Sequence, residues 1–481
     1  MLKDSKTIVV LEMARNRMGD LIRYPFPQKR EKIDAAARDI LWGLKLNKCL
    51  ESLDLSYNHM GPKLAELLPP SIQKHPTLAF LNLSGNDFGR QGAIMIWSFA
   101  CSTVKLSDIF RTTKSDNEAI LKQEEERRRL GTSERVESAV ESAVDDDGEG
   151  KSVTAADGGE RTVATGTGSV GSKTSVTAKY PKLCALGLAD NQLSTAAGKA
   201  LGLLLKGNKK ITSLDVSGNA LGFEGGFALA EALEKVYGVE ARAAKQRVFE
   251  ELTKQITRRQ RTKKVVYSIL LHLNMRRNGM GPAVVSSLMQ CLEKPNCSIT
   301  DLDVSENYFN HTVNNSGDGN TAGLDIRSGI GKSFSLVRLN LGNCGLVSTQ
   351  MVPILGGLGK NSYIMRINLS NTVLDEPCCL QLTNALCTSK FIDSIEVANS
   401  KMGPKGGGLV LGMIEQICNR LTNVDVSGNN IGSFSIVPLA KALTNPSCAI
   451  KKLNVSKNIL EGEGGMFIAK ALLKNNTGIK Y

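Results

Sequence analysis

The stretch LTNVDVSGNNIG, residues 421–432, decides the fold, because it recurs as LESLDLSYNHMG (50–61), LAFLNLSGNDFG (78–89) and ITSLDVSGNALG (211–222). All four fit the string Leu-x-x-Leu-x-Leu-x-x-Asn-x-Leu, with other apolar residues replacing some leucines. Weaker copies begin at Ile8, Leu183, Leu270, Ile299, Leu336, Ile364, Ile392 and Ile450, giving twelve in all. From Ile364 to Ile450 the starts are 28, 29 and 29 residues apart.

Each position in the string has a mechanical role. The apolar residues of Leu-x-x-Leu-x-Leu point inward from a short strand and stack on their counterparts in the next repeat. The Asn stands where the chain bends away, and its amide can bond backbone groups left unpaired by the turn. Asn16, Asn58, Asn86, Asn191, Asn219, Asn278, Asn307, Asn429 and Asn458 occupy that place. Cys344, Thr372 and Ser400 replace it in the other repeats and are expected to donate a hydrogen bond in its stead.

After each strand comes Gly or Pro and then an amphipathic stretch, as in GKALGLLLKGN (198–208) and GGMFIAKALLKNN (464–476). Gly61-Pro62, Gly281-Pro282 and Gly403-Pro404 put Pro in a first helical turn, where its missing N–H is tolerated. Strands on one side and wider helices on the other force the stack to curve. The predicted fold is therefore α/β: a curved solenoid, or horseshoe, with parallel strands on the concave face and α-helices on the convex face. This pattern resembles the ribonuclease-inhibitor-like class of leucine-rich repeats. That class includes enzyme inhibitors, immune sensors, GTPase activators, actin-filament regulators and flagellar components, so the resemblance implies fold more than function.

Three of the long repeat intervals are read as insertions. Leu78 to Leu183 spans 105 residues, and residues 131–179 hold no Leu, Ile, Met or aromatic residue. Such composition predicts a disordered low-complexity insertion over 112–179. Ile211 to Leu270 contains ARAAKQRVFEELTKQITRRQRTKK, read as an inserted basic helix within 237–264. Ile299 to Leu336 adds the polar loop HTVNNSGDGNTAG. The expected organisation is repeats over 1–111, the disordered insertion 112–179, repeats over 180–236, the basic helix 237–264 and repeats over 265–481. Neither end carries a capping unit, which makes the sequence read as part of a longer protein.

Across 481 residues the formal charge is +13, yet residues 240–264 alone hold nine Lys or Arg against three Glu. The charge is local, so nucleic acid is not the expected partner, and the basic helix at 242–264 is the one candidate for it. No stretch approaches the roughly 20 apolar residues of a membrane span, and the N-terminus lacks a secretory segment. No membrane association is expected, and the location predicted is cytoplasmic. The eleven cysteines follow no metal-ligand spacing, and His59, His75, His272 and His311 complete no triad. No metal, cofactor or catalytic residue is expected. GIGKS (329–333) is not a phosphate loop, since it precedes a strand instead of following one.

Binding is expected on the concave face. Immediately before the third core position stand Glu12, Asp54, Asn82, Gly187, Asp215, Asn274, Asp303, Asn340, Asn368, Glu396, Asp425 and Asn454, a ladder of acids and amides. Arg276, Arg277, Arg338, Arg366 and Lys452 add bases toward the C-terminal half. The candidate contact set is Asp54, Asn82, Asp215, Asn274, Arg276, Asp303, Arg338, Arg366, Glu396 and Asp425, and its mixed chemistry points to a protein partner. The same acids and amides also admit a purely structural role. Two further functions stand beside this scaffold. LSDIFRTTKSDNEAI (106–120) is similar to a short stretch of the Ran GTPase-activating protein family, with Arg111 nearest its essential arginine, although the acidic tail of that family is absent. Association with the repeat class implies a flagellar, axonemal or other cytoskeletal component.

Overall fold

The structure, a computed structural model, describes residues 7–16, 18, 41–72, 75–100, 109–110, 183–208, 210–237, 270–309 and 321–474. Twelve three-residue strands emerge from the twelve strings: β1 (Val10–Glu12), β2 (Ser52–Asp54), β3 (Phe80–Asn82), β4 (Ala185–Gly187), β5 (Ser213–Asp215), β6 (His272–Asn274), β7 (Asp301–Asp303), β8 (Arg338–Asn340), β9 (Arg366–Asn368), β10 (Ser394–Glu396), β11 (Asn423–Asp425) and β12 (Lys452–Asn454). They form one open parallel sheet in sequence order. Equal positions pair throughout, so that Leu53 stands opposite Leu81 and Leu81 opposite Leu186. The long interval between Leu78 and Leu183 therefore leaves the register untouched.

The central residue of each strand faces inward. From Leu53 in β2 to Val424 in β11 these side chains are at most 3 % exposed, and burying each contributes about 1.5–3 kcal/mol. Helices return on the opposite side, among them Gly61–Ile72, Gly89–Phe99, Ser194–Gly207, Gly222–Val236, Pro282–Glu293, Ser348–Leu358, Glu376–Thr388 and Gly403–Ile417. Their apolar faces close the core; in the Ser194–Gly207 helix Ala197, Ala200, Leu201 and Leu204 are fully buried. The result is a curved solenoid with a strand face and a helix face. The helix Thr321–Lys332 begins inside the string read as a polar loop, taking over its last three residues, Thr321 to Gly323.

The turn after each strand is uniform. The residue before the ladder Asn, or its replacement, adopts a left-handed backbone in every repeat, at φ between 52° and 67°. Gly85, Gly218 and Gly428 take this conformation freely, whereas Tyr57, Arg277 and Glu306 carry a cost of about 1–2 kcal/mol each. The turn swings the next side chain into the core. Asn278 shows what that achieves: its Nδ2 donates to the carbonyls of Val216, Met275 and Arg276 at 3.0–3.1 Å. Its Oδ1 accepts from the N–H groups of Asn219 and Leu221, both at 3.3 Å. Asn58, Asn86, Asn191, Asn219, Asn307 and Asn429 are likewise fully buried, and Asn458 of the last repeat is half-buried.

The substitutes behave unequally. Cys344 donates weakly to the Val304 carbonyl, and Ser400 to those of Leu369 and Ala398. The Thr372 hydroxyl is buried without a hydrogen bond, contrary to the donor role expected of it.

All twelve strands belong to one compact unit, Met1–Ile109 with Ala178–Tyr481. The insertion 112–179 and the basic stretch 242–264 lie outside the described residues. Tyr237, which ends the Gly222–Val236 helix, is buried at 3 % exposure. No helix among the described residues is long and apolar enough to cross a membrane.

Candidate functional site

Because side chains alternate along a strand, the first and third residues of every strand face the concave surface while the second faces the core. Two rows result, and they differ in kind. The third-residue row contains Asp54, Asn82, Asp215, Asn274, Asp303, Asn340, Asn368, Glu396 and Asp425, all half-buried. Most of its oxygens are engaged within the protein. Asp303 Oδ1 accepts from the Ser305 N–H at 2.9 Å and hydroxyl at 2.6 Å, and its Oδ2 accepts from Asn340 Nδ2 at 2.9 Å. Asp425 repeats the arrangement with Ser427 and Asn454, and Asp54 with the Ser56 N–H and Asn82. Asn82, Asn274 and Asn368 accept from the backbone two residues on. Asp215 holds the Ser217 N–H and hydroxyl, and Glu396 accepts from Asn368 and Asn423. At Gly187 the row is interrupted, and Asn82 fills the space, its Oδ1 lying 2.6 Å from where a Cβ would stand.

The first-residue row is the more exposed of the two. Phe80, His272, Arg338, Arg366 and Lys452 are exposed in it, while Ser394 is buried and Ser52, Ala185, Ser213, Asp301 and Asn423 are half-buried. Arg338 pairs with Asp301, whose other oxygen meets His272 Nδ1 at 2.9 Å. Burial raises the Asp301 carboxyl, but hydrogen bonds from Thr300 and Arg338 and the neighbouring His272 outweigh it and hold the group below its ordinary value. Arg366 Nε lies 3.8 Å from Asp393. Sequence reasoning took Arg338 and Arg366 from this row but missed His272 and Asp301, whose place at the first residue of β6 and β7 carried the signal.

These rows floor an open trough of about 670 Å³ running from β5 to β12. Asp215, Asn274, Asp303, Arg338, Arg366 and Glu396 line it, whereas Asp54, Asn82, Arg276 and Asp425 do not. Arg276 turns instead to Glu306 beyond the strand end, and that hydrogen bond raises its guanidinium further. On the same rim Asp190 accepts from Tyr57 at 3.2 Å and from Arg277, whose side chains cross over Gly85 and Gly218.

Other candidate groups lead elsewhere. GIGKS ends the helix Thr321–Lys332, and a Cβ on Gly329 would strike Met289, so its backbone is closed to a ligand. The Cys344 thiol is pushed up to about 12 by burial, which removes its nucleophilicity. Of the SDIF string, Ile109 is buried in the core, and Arg111 lies outside the described residues.

A family model described as Leucine Rich repeat matches residues 46–63, 74–96 and 207–230, which enclose β2, β3 and β5. The chain carries leucine-rich repeats. No curated protein matches it by sequence. Similar solved structures include the tropomodulin C-terminal domain of Caenorhabditis elegans, 15 % identical, covering 29 % of this chain and 84 % of that one at a TM-score of 0.26. Leiomodin-1 actin-binding site 2 is 19 % identical, covering 31 % and 87 % at 0.27. An internalin of Listeria monocytogenes is 10 % identical, covering 63 % and 82 % at 0.30.

Proposed function

We propose that these leucine-rich repeats form a non-enzymatic scaffold that holds a protein partner on the concave face. The observation carrying this reading is the contrast between the two rows. The third-residue row is largely satisfied by its own turns, while the first presents exposed aromatic, imidazole and guanidinium groups, the residue types enriched where proteins meet. Twelve strands at about 4.8 Å give a face on the order of 55 Å long, enough for a standard interface of roughly 800 Å² on one partner. Spacings of 28 and 29 residues with a helix in each unit support assignment to the ribonuclease-inhibitor-like class. Through that class the reading extends to a cytoplasmic, cytoskeletal or flagellar setting.

Photo-crosslinking tests the face. Crosslinkers at His272 and Lys452 are expected to capture a partner, while crosslinkers at the helix-side Lys405 and Leu409 are not. Adducts confined to the helix side would move the interface off the strands.

A further inference from the structure

We infer that the strand-start edge of β8–β10, continued along the first row to β12, docks an acidic, extended segment of the partner protein. This rests on the concave-face reading and names the partner's chemistry. Three consecutive repeats put an aromatic side chain at that edge: Phe334, Tyr363 and Phe391 are 60 %, 47 % and 53 % exposed. Phe334 stands four residues before Arg338, and Tyr363 and Phe391 stand three before Arg366 and Ser394, so all border the first row. Phe334 and Tyr363 meet edge to face with centroids 6.1 Å apart. Corresponding places in other repeats hold Thr77, Ser298 and Ala449. Folding gains little from leaving three large rings in water, whereas burial under a partner would release that water.

Charge selects the occupant. Lys360, Lys390, Lys451 and Lys452 are exposed along this edge and have no acidic partner among the described residues. Of the acids nearby, Asp301 lies between Arg338 and His272, and Asp393, mostly buried, faces Arg366 at 3.8 Å. The uncompensated charge is positive, which suits carboxylates. A nucleic acid fits less well. Phe334 and Tyr363, packed edge to face, offer no parallel platform for bases. From β8 to β12 the strip measures roughly 19 Å at about 4.8 Å per strand, the reach of about six extended residues.

The test is fluorescence anisotropy on the full chain with three labelled probes: a short peptide alternating glutamate with leucine, its lysine-leucine counterpart, and a short oligouridylate. The glutamate-leucine peptide is expected to bind saturably, and the combination Lys390→Glu with Lys452→Glu, or Phe391→Ala alone, to weaken it about tenfold. Lys405→Glu, on the helix side, leaves that binding unweakened, and thermal melts verify that each variant is folded. Absence of saturable binding, equal binding of the lysine-leucine peptide, tighter binding of the oligouridylate, or unchanged affinity in the folded edge variants would each overturn the inference. Crosslinks from position 272 in β6, outside the strip, that persist beside unchanged edge variants would remove this strip and leave the concave scaffold standing.

Discussion

Asn278 and His75 are two side chains on which a repeat turns. Asn278 makes five hydrogen bonds to backbone groups of its own and the preceding repeat. Replacing it with Ala orphans buried donors and acceptors together, and a loss of roughly 2–4 kcal/mol is expected in urea unfolding. His75 belongs to a second polar row, at the turn from helix to strand. Its Nδ1 accepts from the Leu78 N–H at 3.2 Å, as Asn361 Oδ1 accepts from Ile364 and Asn47 Oδ1 from Leu50. The proton therefore resides on Nε2, and burial holds the imidazole below its ordinary 6.5. As pH falls the unfolded chain takes up the proton first. Stability is complete above about pH 6.5 and is lost progressively as pH falls toward the depressed native value. His75→Asn supplies the acceptor that neighbouring repeats use, so melting temperature measured between pH 7 and 5 should fall less steeply in that variant than in the parent. An equally steep fall would assign the acid sensitivity to other groups.

At the scale of strand and helix, close approach sets what can change. A Cβ on Gly198 would lie 2.2 Å from the Gly225 carbonyl oxygen and 2.3 Å from its Cα, so two neighbouring helices touch backbone to backbone. Gly198→Ala should separate them and cost about 1–3 kcal/mol. Gly412 sits in the Gly403–Ile417 helix with nothing within 4 Å of its would-be Cβ. Gly412→Ala should therefore be neutral or stabilise by up to about 1 kcal/mol through helix propensity, and paired chemical melts would separate the two cases. The strands were legible because one apolar spacing recurs twelve times and one Asn nine times, and every strand begins two residues after the start of its string. The Gly198–Gly225 contact was not legible, since nothing in a single repeat says which glycine meets a neighbour. The helix-to-strand row escaped notice because its identity drifts among Asn47, His75, Ser333 and Asn361. The acid and amide ladder was legible as a set of positions. Its engagement with Ser305 and Ser427 was not, because a serine two residues on could as well have faced the solvent.

Across the whole molecule, continuity of register matters more than continuity of chain. Asn86 N–H donates to Asn191 Oδ1 at 3.0 Å, and β3 pairs with β4, although 105 residues separate Asn86 from Asn191. Loop closure becomes costlier by about 0.6 kcal/mol per doubling of length. Deleting 112–179, which cuts the interval from Leu78 to Leu183 to about a third of its length, should leave the circular dichroism spectrum of the repeats intact and raise stability by about 1 kcal/mol. A collapse of helical signal would instead mean that the repeats lean on the excised segment.

The backbone N–H groups of Asn86, Asn191, Asn219, Asn278 and Asn429 each look to the amide of the following repeat, as Asn191 looks to Asn219 at 2.8 Å and Asn429 to Asn458 at 2.9 Å. Such a chain of identical couplings makes length a quantised trait. Excising residues 392–420 brings Leu421 to the place of Ile392, so the Asn row, the sheet and the core can close again over the gap. Removing a fraction of that span would misalign all three at once. Growth and shrinkage by duplication or loss are thus open to this molecule only in whole steps.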